Sequence, residues 1–188
     1  MENKLIIKMN NYRYPLNYIT NDSICIEIGV WQGKFSNEIL KKNPKKLYMI
    51  DPWLFQKPEK VGTKWYSGII AKNQKDMDNI YLDNIQKYAC NYKINFLKGK
   101  SDNILPLLDE EYFDWIYIDG NHEEEFVYND LVNSLRIIKN GGYITGDDVL
   151  WKNDNGIHTV KKSLENFVNK YNLPCKVNDD QFVIKINK

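Results

Sequence analysis

Cysteine is scarce in this sequence, and its three copies lie far apart. Cys25, Cys90 and Cys175 form no CxxC pair, so the chain carries neither a disulfide framework nor a zinc-binding motif. We expect all three thiols to be reduced and structural. The sequence also contains no internal repeat, low-complexity segment or linker, and its 188 residues suit one domain with a full hydrophobic core.

Strong net charge and long apolar runs are missing as well. A net charge of +1 gives no reason to expect a nucleic acid or an anionic membrane as partner. No apolar stretch is long enough to span a bilayer, and the N-terminal sequence has neither the apolar core nor the cleavage site of a signal peptide. These features predict a cytoplasmic globular protein. Its aromatic share of 13% is generous enough to furnish surfaces that stack on rings or sugars.

The stretch from Ser23 to Leu40 is the most informative part of the chain. A β-branched apolar run ending at Ile28 leads into a loop bounded by Gly29 and Gly33, and then into sequence of helical period. This order predicts the strand, tight turn and helix that open a nucleotide-type α/β fold. Gly29 permits a turn that a Cβ would obstruct, and Gly33 allows the helix to start close to the strand.

Trp31 and Glu27 indicate which cofactor this loop prefers. Trp31 stands where a dinucleotide fingerprint would have its middle glycine, against which a pyrophosphate presses. A cofactor without phosphates does not need that glycine. Glu27, just before the turn, would repel a phosphate and suits a cofactor that carries an ammonium group. The loop therefore favours S-adenosylmethionine over NAD.

Strands and helices are predicted to alternate along most of the chain. This pattern indicates an α/β fold with a doubly wound, mainly parallel sheet that binds ligands at the carboxyl ends of its strands. The terminal segments PCKV and QFVIKI, separated by turn residues, predict a β-hairpin. The predicted strands before it are 24–28, 47–50, 94–97, 115–118 and 143–145, and the predicted helices after the first are 73–90, 124–139, ended by Gly141 and Gly142, and 157–171.

Two segments fall outside this alternation. We interpret residues 1 to about 22 as an N-terminal arm that either covers the substrate or packs against the sheet edge, followed by a single domain over 23–188. Residues 52–72 are irregular and rich in aromatics, which favours a lid over cofactor or substrate. Candidate stacking surfaces are Trp31, Trp53, Trp65 and Trp151, although buried packing explains any one of them equally well.

Polar residues follow the predicted strands at the edge where ligands bind. Asp51 closes the second strand at about the interval from Glu27 at which an acid meets the ribose in dinucleotide-type folds. Lys100 and Ser101 follow the third strand and are expected near an adenine, with capping of a short helix as the competing role of Ser101. One crevice would also collect the acids after the fourth and fifth strands, Asp119, Asp147 and Asp148.

The order of these segments resembles one enzyme family. EIGVWQGKFS, LYMIDPW, FLKGKSDNILP and FDWIYIDGNHEEEFVYNDLVNSLRIIKNGGYITGDDV are similar to segments of class I S-adenosylmethionine-dependent methyltransferases. Within that class they resemble small-molecule O-methyltransferases, including metal-dependent sugar and macrolide-sugar enzymes. The resemblance runs from about Ser23 to Phe167. It implies a Rossmann-like seven-stranded sheet with a reversed final hairpin, and methyl transfer to a hydroxyl of a small molecule, with a sugar or glycoconjugate favoured.

The same resemblance implies roles for individual residues. Gly29 and Gly33 would line the methionine part of the cofactor, with Glu27 near its amino group. Asp51 would bind the ribose, and Ser101 would sit at the adenine. Further candidate cofactor-binding residues are Trp31, Lys100 and Asp119.

Asp119, Asp147 and Asp148 correspond in this resemblance to acids that bind a divalent cation. Clustered carboxylate oxygens select hard ions such as Mg²⁺, Ca²⁺ or Mn²⁺. Without a cation, the three neighbouring aspartate carboxylates would repel one another, and this repulsion would raise their pKa values. The alternative is that Asp147 or Asp148 caps a loop and that no metal binds.

His122 is the candidate general base, because an imidazole titrates near physiological pH and this one closely follows Asp119. His122 and Asp119 are therefore the predicted catalytic residues. Related enzymes often have an acid where this chain has Asn121, and that difference leaves the identity of the base open. The other histidine, His158, is expected to be structural.

Two other functions stay open. A nucleotide-dependent oxidoreductase shares this architecture, but Trp31 and Glu27 count against it. A binding or regulatory module that retains the cofactor pocket without catalysis is kept open by Asn121 and by the short chain. The expected partner is a small hydroxylated molecule, and homo-oligomerisation is left open.

Overall fold

The computed structural model describes residues 14–56 and 71–188, and within these ranges strands and helices alternate. The strands are β1 (Ile24–Ile28), β2 (Lys46–Asp51), β3 (Ile94–Lys98), β4 (Phe113–Ile118), β5 (Ile138–Gly146), β6 (Cys175–Asn178) and β7 (Gln181–Lys185). The α-helices are α1 (Lys34–Lys41), α2 (Gln74–Tyr88), α3 (Ser101–Ile104), α4 (Glu124–Ile137) and α5 (Thr159–Tyr171), with 3-10 turns at Tyr14–Tyr18 and Leu105–Leu107.

The seven strands form one sheet in the order β3-β2-β1-β4-β5-β7-β6. The pairs from β3 to β5 are parallel, whereas β7 runs antiparallel to both β5 and β6. This arrangement confirms the predicted doubly wound sheet with its reversed C-terminal hairpin. Strand order reverses between β1 and β4, and ligands of such sheets bind in the crevice outside this point.

The central strand β1 is buried on both faces, which is why all its residues except Glu27 are apolar. Alternate residues of β1 point to opposite faces. Ile26 and Ile28 pack in one hydrophobic cluster with residues of α4 and α5. Cys25 packs in the other cluster with residues of α1 and α2.

The described part of the predicted N-terminal arm packs against the sheet. Leu16 is fully buried, and the Trp115 indole donates a hydrogen bond to the carbonyl of Pro15 (3.1 Å). Leu16 and Ile19 therefore belong to the hydrophobic core. The remainder of the arm, residues 1–13, lies outside the described residues, as does most of the predicted lid.

The boundary between α4 and β5 differs from the prediction. Helix α4 ends at Ile137, and the Gly141–Gly142 pair lies inside β5 instead of ending a helix. Gly141 has a φ of 82°, and its amide donates to the Ile186 carbonyl. A Cβ on Gly142 would lie 2.8 Å from a side-chain carbon of Ile138. The glycines therefore allow β5 to pass through an irregular register beside β4.

The last helix is also shorter than predicted. It begins at Thr159, so that Ile157 lies in the preceding loop and is exposed. Cys25, Cys90 and Cys175 are unpaired thiols, as expected. Among the described residues no helix combines the length and the apolar character needed to cross a membrane.

Candidate active site

A cavity of about 420 Å³ lies at the carboxyl ends of the central strands. The loops that follow β1, β2 and β4 and the first turn of α3 form most of its lining, as expected for this strand order. Of the predicted site residues, Gly29, Trp31, Asp51, Lys100, Ser101 and His122 line the cavity, whereas Glu27, Gly33, Asp119, Asp147 and Asp148 do not.

Gly29 allows three strand ends to meet beneath this cavity. Its φ is 89°, and a Cβ at this position would lie 1.9 Å from the Asp119 carbonyl oxygen. Its amide donates to the Ile50 carbonyl (2.9 Å), and the Asp119 amide donates to that of Ile28 (2.8 Å). The expected need for glycine in this turn is confirmed, and the reason is the close approach of the loop after β4.

Asp51 holds the loop after β1 in place. Its Oδ2 accepts hydrogen bonds from the amides of Val30 and Trp31, both at 2.9 Å, and its Oδ1 accepts one from the amide of Trp53 (2.6 Å). Burial raises the pKa of this carboxyl group, and the three amide donors oppose the rise. A carboxylate offers about four acceptor positions. Asp51 lines the cavity and has room for one more donor, so the predicted ribose contact stays a prediction.

Trp31 adopts a backbone conformation that usually favours glycine. Its φ is 46°, and its carbonyl accepts hydrogen bonds from the indole of Trp53 (2.9 Å) and the amide side chain of Asn84 (2.7 Å). These contacts stabilise a conformation that costs a bulky residue free energy. Trp53 is fully buried, so it supports the loop and is not available as a stacking surface, whereas Trp31 and Trp151 line the cavity. Trp65 lies outside the described residues.

Glu27 is buried below the cavity, on the α1 side of the sheet. Ser36 of α1 donates a hydrogen bond to its Oε2 (2.5 Å). Burial raises the pKa of Glu27 well above its usual value, although this hydrogen bond opposes the rise. The predicted contact between Glu27 and a cofactor ammonium group stays a prediction. The structure gives it no support, because Glu27 does not line the cavity. The physical reason is strand alternation, which points Glu27 towards α1.

Gly33 supports the loop from outside the cavity. It is the N-cap residue of α1 with a φ of 65°, and a Cβ here would lie 2.3 Å from Asn84 Oδ1. This close approach explains the glycine through packing of α2 against the loop. A contact between Gly33 and the cofactor also stays a prediction.

Lys100 and Ser101 line the cavity, and an adenine is predicted beside them. Lys100 is the N-cap residue of α3 and makes no side-chain capping bond. The Ser101 hydroxyl lowers the pKa of Asp130, a residue of α4 that is 1% exposed. Sequence reasoning missed Asp130, which is buried on α4 among apolar residues and Ser134. It also did not include Asp102, which lines the cavity, among the site residues. The one feature of the sequence that could have indicated Asp102 as a site residue is its position in the first turn of the short helix after β3.

A cluster of Asp119, His122 and Asp148 lies at the ends of β4 and β5. His122 Nε2 is 3.0 Å from Asp148 Oδ2 and 3.6 Å from Asp119 Oδ1. Burial opposes a charged imidazole, but the hydrogen bonds to Asp119 and Asp148 outweigh it and raise the pKa of His122 to about 9. The imidazole is therefore cationic at neutral pH when nothing else occupies the cluster.

Asp147 is not a member of this cluster, so its predicted role as a metal ligand beside Asp119 and Asp148 stays a prediction. Its Oδ2 accepts hydrogen bonds from the Tyr117 hydroxyl (3.0 Å) and the Gln181 side chain (3.4 Å). Its Oδ1 accepts one from the amide of Asp148 (2.9 Å). Asp148 has a left-handed backbone with a φ of 62°, so adjacent carboxylates face different partners. The sequence could not show this, because the aspartates are neighbours and both follow β5.

The donor set of the cluster suits a divalent cation. One ligand atom from each of Asp119, His122 and Asp148 can be chosen so that all three lie within 4.8 Å of one another. Neighbouring ligands around one ion with bonds of about 2.1 Å have separations of about 3 to 3.5 Å. The two distances from His122 Nε2 fall near this range.

Comparisons with known proteins indicate a methyltransferase. The profile of a family described as a methyltransferase domain matches residues 26–149. No curated protein sequence matches the chain. The structure of the O-methyltransferase NovP is similar with a TM-score of 0.65 and 18% identity, over 95% of this chain and 78% of that chain.

Two other solved structures are similar to this fold. The Podospora anserina methyltransferase PaMTH1, solved with S-adenosylhomocysteine, has a TM-score of 0.57 and 15% identity over 88% of this chain and 72% of that chain. Aeropyrum pernix fibrillarin, solved with S-adenosylmethionine, has a TM-score of 0.56 and 12% identity over 90% of this chain and 67% of that chain. At these identities the similarity shows the shared fold.

Proposed function

Because the chain belongs to the family of methyltransferase domains, we propose that it transfers a methyl group from S-adenosylmethionine to a hydroxyl group of a small molecule. A sugar or glycoconjugate is the favoured acceptor. The observation that carries this proposal is the position of the cavity, between the glycine loop after β1 and the acidic cluster after β4 and β5. One cavity thus provides room for a nucleoside cofactor beside groups that can bind an acceptor.

The cofactor would lie across the strand ends. We place its methionine part at Gly29 and Trp31, its ribose at the remaining acceptor position of Asp51, and its adenine at Lys100 and Ser101. Asp102 adds a carboxylate at the adenine end that can accept hydrogen bonds from an exocyclic amino group. S-adenosylmethionine supplies the electrophilic methyl group. Because this cofactor has no phosphate groups, the cavity does not need a phosphate-binding residue.

The acceptor would lie on the other side, towards the acidic cluster. Trp151 and Phe126 line this cavity and provide aromatic faces of the kind that stack on sugars. The Trp151 ring contacts that of His122, with centroids 5.2 Å apart. Asp119 and Asp148 can orient the acceptor hydroxyl. A divalent cation held in this cluster, Mg²⁺ or another hard ion by the sequence prediction, would lower the pKa of that hydroxyl.

The general base stays a prediction. His122 lies at the right place, but its raised pKa of about 9 means that Nε2 holds a proton at neutral pH until a ligand displaces it. Asn121 cannot replace it, because an amide is not a base and its Oδ1 accepts a hydrogen bond from the Glu123 amide (2.9 Å). Proton removal therefore depends on what the cluster binds.

The test is a methylation assay on a panel of hydroxylated acceptors that includes free sugars and glycosides. We expect transfer of a labelled methyl group from S-adenosylmethionine to an acceptor oxygen, decreased by chelator and restored by a divalent cation. Binding of S-adenosylhomocysteine without transfer to any acceptor would favour the non-catalytic module. Methylation confined to nitrogen or carbon atoms would contradict the proposed hydroxyl acceptor.

A further inference from the structure

We propose that His122 is itself a ligand of the divalent cation, together with Asp119 and Asp148, and that Asp147 is not. This inference rests on the proposed function, because it concerns the cation that assists methyl transfer. It replaces a set of three carboxylates by a mixed set with one imidazole nitrogen. The argument depends on how Asp147 and His122 are held in the structure.

Asp147 is committed to a buried hydrogen-bond network. Tyr117 is 1% exposed and Gln181 is 4% exposed, and both donate to Asp147 Oδ2. The Gln181 side chain also lies 3.3 Å from the Tyr117 hydroxyl. Turning Asp147 towards the cluster would remove the acceptor of a buried tyrosine hydroxyl, and such a loss is costly. The network therefore keeps Asp147 behind the cation site, where its Oδ1 orients the backbone of Asp148.

His122 is held with its Nε2 directed at the cluster. Its side chain is only 13% exposed, and the Trp151 ring packs against it. Thr159, at the start of α5, donates a hydrogen bond to the His122 carbonyl (2.5 Å) and fixes the backbone of the loop. Nε2 faces the carboxylates of Asp119 and Asp148, so an ion bound between these carboxylates also meets the nitrogen.

A nitrogen ligand changes which ions the site prefers. Imidazole suits transition ions, whereas a site made only of carboxylates, carbonyls and waters suits Mg²⁺ and Ca²⁺. We therefore expect Mn²⁺ or Co²⁺ to bind at least tenfold more tightly than Mg²⁺. A ligating Nε2 also cannot accept the proton of the acceptor hydroxyl, which separates this role from that of a general base.

Pulsed electron paramagnetic resonance of Mn²⁺ bound to the full chain tests the inference directly. We expect the nitrogen modulation of a directly bound imidazole in the wild-type protein with S-adenosylhomocysteine present. The modulation should persist in His158→Gln, which removes the other histidine, and should disappear in His122→Gln. Bound Mn²⁺ without nitrogen modulation, or a modulation that survives in His122→Gln, would overturn the inference.

Affinity measurements provide a second readout. Asp119→Asn and Asp148→Asn should each weaken Mn²⁺ binding about tenfold or more. His122→Asp exchanges the nitrogen for an oxygen, so it should still bind a cation, with its preference for Mn²⁺ over Mg²⁺ decreased at least tenfold. An unchanged preference would contradict nitrogen ligation.

S-adenosylhomocysteine binding is measured on the same preparations. If the cofactor binds but Mn²⁺ does not, the inference fails and the cofactor site stands. If neither binds, the proposed function itself fails.

Discussion

Gly29 and Gly141 share a left-handed backbone but differ in the space around them. A Cβ on Gly29 would overlap the Asp119 carbonyl, whereas one on Gly141 would meet nothing within 4 Å. We expect Gly141→Ala to cost about 1 to 3 kcal/mol from backbone strain alone. Gly29→Ala should cost clearly more, because it adds a clash between backbone segments. Urea unfolding of both variants measures the difference, and equal losses would contradict the packing described for the loop.

Asp130 is expected to make stability depend on pH. Burial raises its pKa to about 7, although the Ser101 hydroxyl opposes the rise, and Oδ1 has no hydrogen-bond partner within the described part of the chain. The folded protein therefore binds more protons than the unfolded chain between about pH 4 and 7, and stability falls as pH rises through this window. Above the folded pKa the loss is complete, on the order of 4 kcal/mol.

Asp130→Asn should flatten this dependence. Unfolding free energies measured from pH 4 to 8 should fall less steeply in Asp130→Asn than in the wild-type protein. Asp109→Asn, which alters an exposed carboxyl group, is the matched control and should keep the wild-type slope. A slope that Asp130→Asn leaves unchanged would show that Asp130 is not the group responsible.

His122→Ala is expected to lower turnover at least about a hundredfold, because both proposed roles of the imidazole act on the acceptor hydroxyl. The affinity for S-adenosylhomocysteine should change little, since the proposed methionine, ribose and adenine contacts lie elsewhere in the cavity. Methyl transfer and cofactor titration on the same variant check both points. Unchanged turnover would remove His122 from the mechanism.

The sequence predicted the location of some residues around the cavity, at positions that strand ends alone determine. Gly29, Asp51 and Ser101 follow strands of one parallel sheet, so their convergence could be foreseen. The hydrogen bonds of Asp147 could not be foreseen. Their donors, Tyr117 and Gln181, are distant in sequence and come together only in the folded sheet. Such side-chain networks leave no local pattern.

At the scale of elements, α2 buttresses the loop after β1. Asn84 is 2% exposed and donates hydrogen bonds to the carbonyls of Trp31 (2.7 Å) and Ile80 (3.0 Å). Asn84→Ala should loosen the Trp31 turn and weaken S-adenosylhomocysteine binding about tenfold, whereas Asn79→Ala, on the exposed side of the same helix, should leave binding unchanged. Calorimetric titration measures both, and equal affinities would show that α2 does not position the loop.

Hydrophobic periodicity located most elements, because buried strands and amphipathic helices have distinct apolar patterns. The predicted second strand and the helix before β3 agree with β2 and α2 to within two residues. The prediction was wrong at Gly141–Gly142, where a glycine pair is compatible with both a helix end and an irregular strand. Only the close approach of Ile138 and the bond to Ile186 decide between them.

For the whole molecule, topology explains why one cavity can serve both halves of the reaction. The loops after β1 and β2 form one wall, and the loop after β4 forms the other, on the two sides of the point where strand order reverses. The proposed cofactor and cation sites therefore come from different sequence segments joined by one sheet. This arrangement makes cofactor recognition testable apart from the identity of the acceptor.

Isothermal titration of the full chain with S-adenosylmethionine, S-adenosylhomocysteine and NAD tests the central claim most directly. The account predicts saturable binding of both adenosyl compounds, with chelator present or absent, and no binding of NAD, because Trp31 occupies the position that a pyrophosphate would need. Binding of NAD without binding of either adenosyl compound would contradict it.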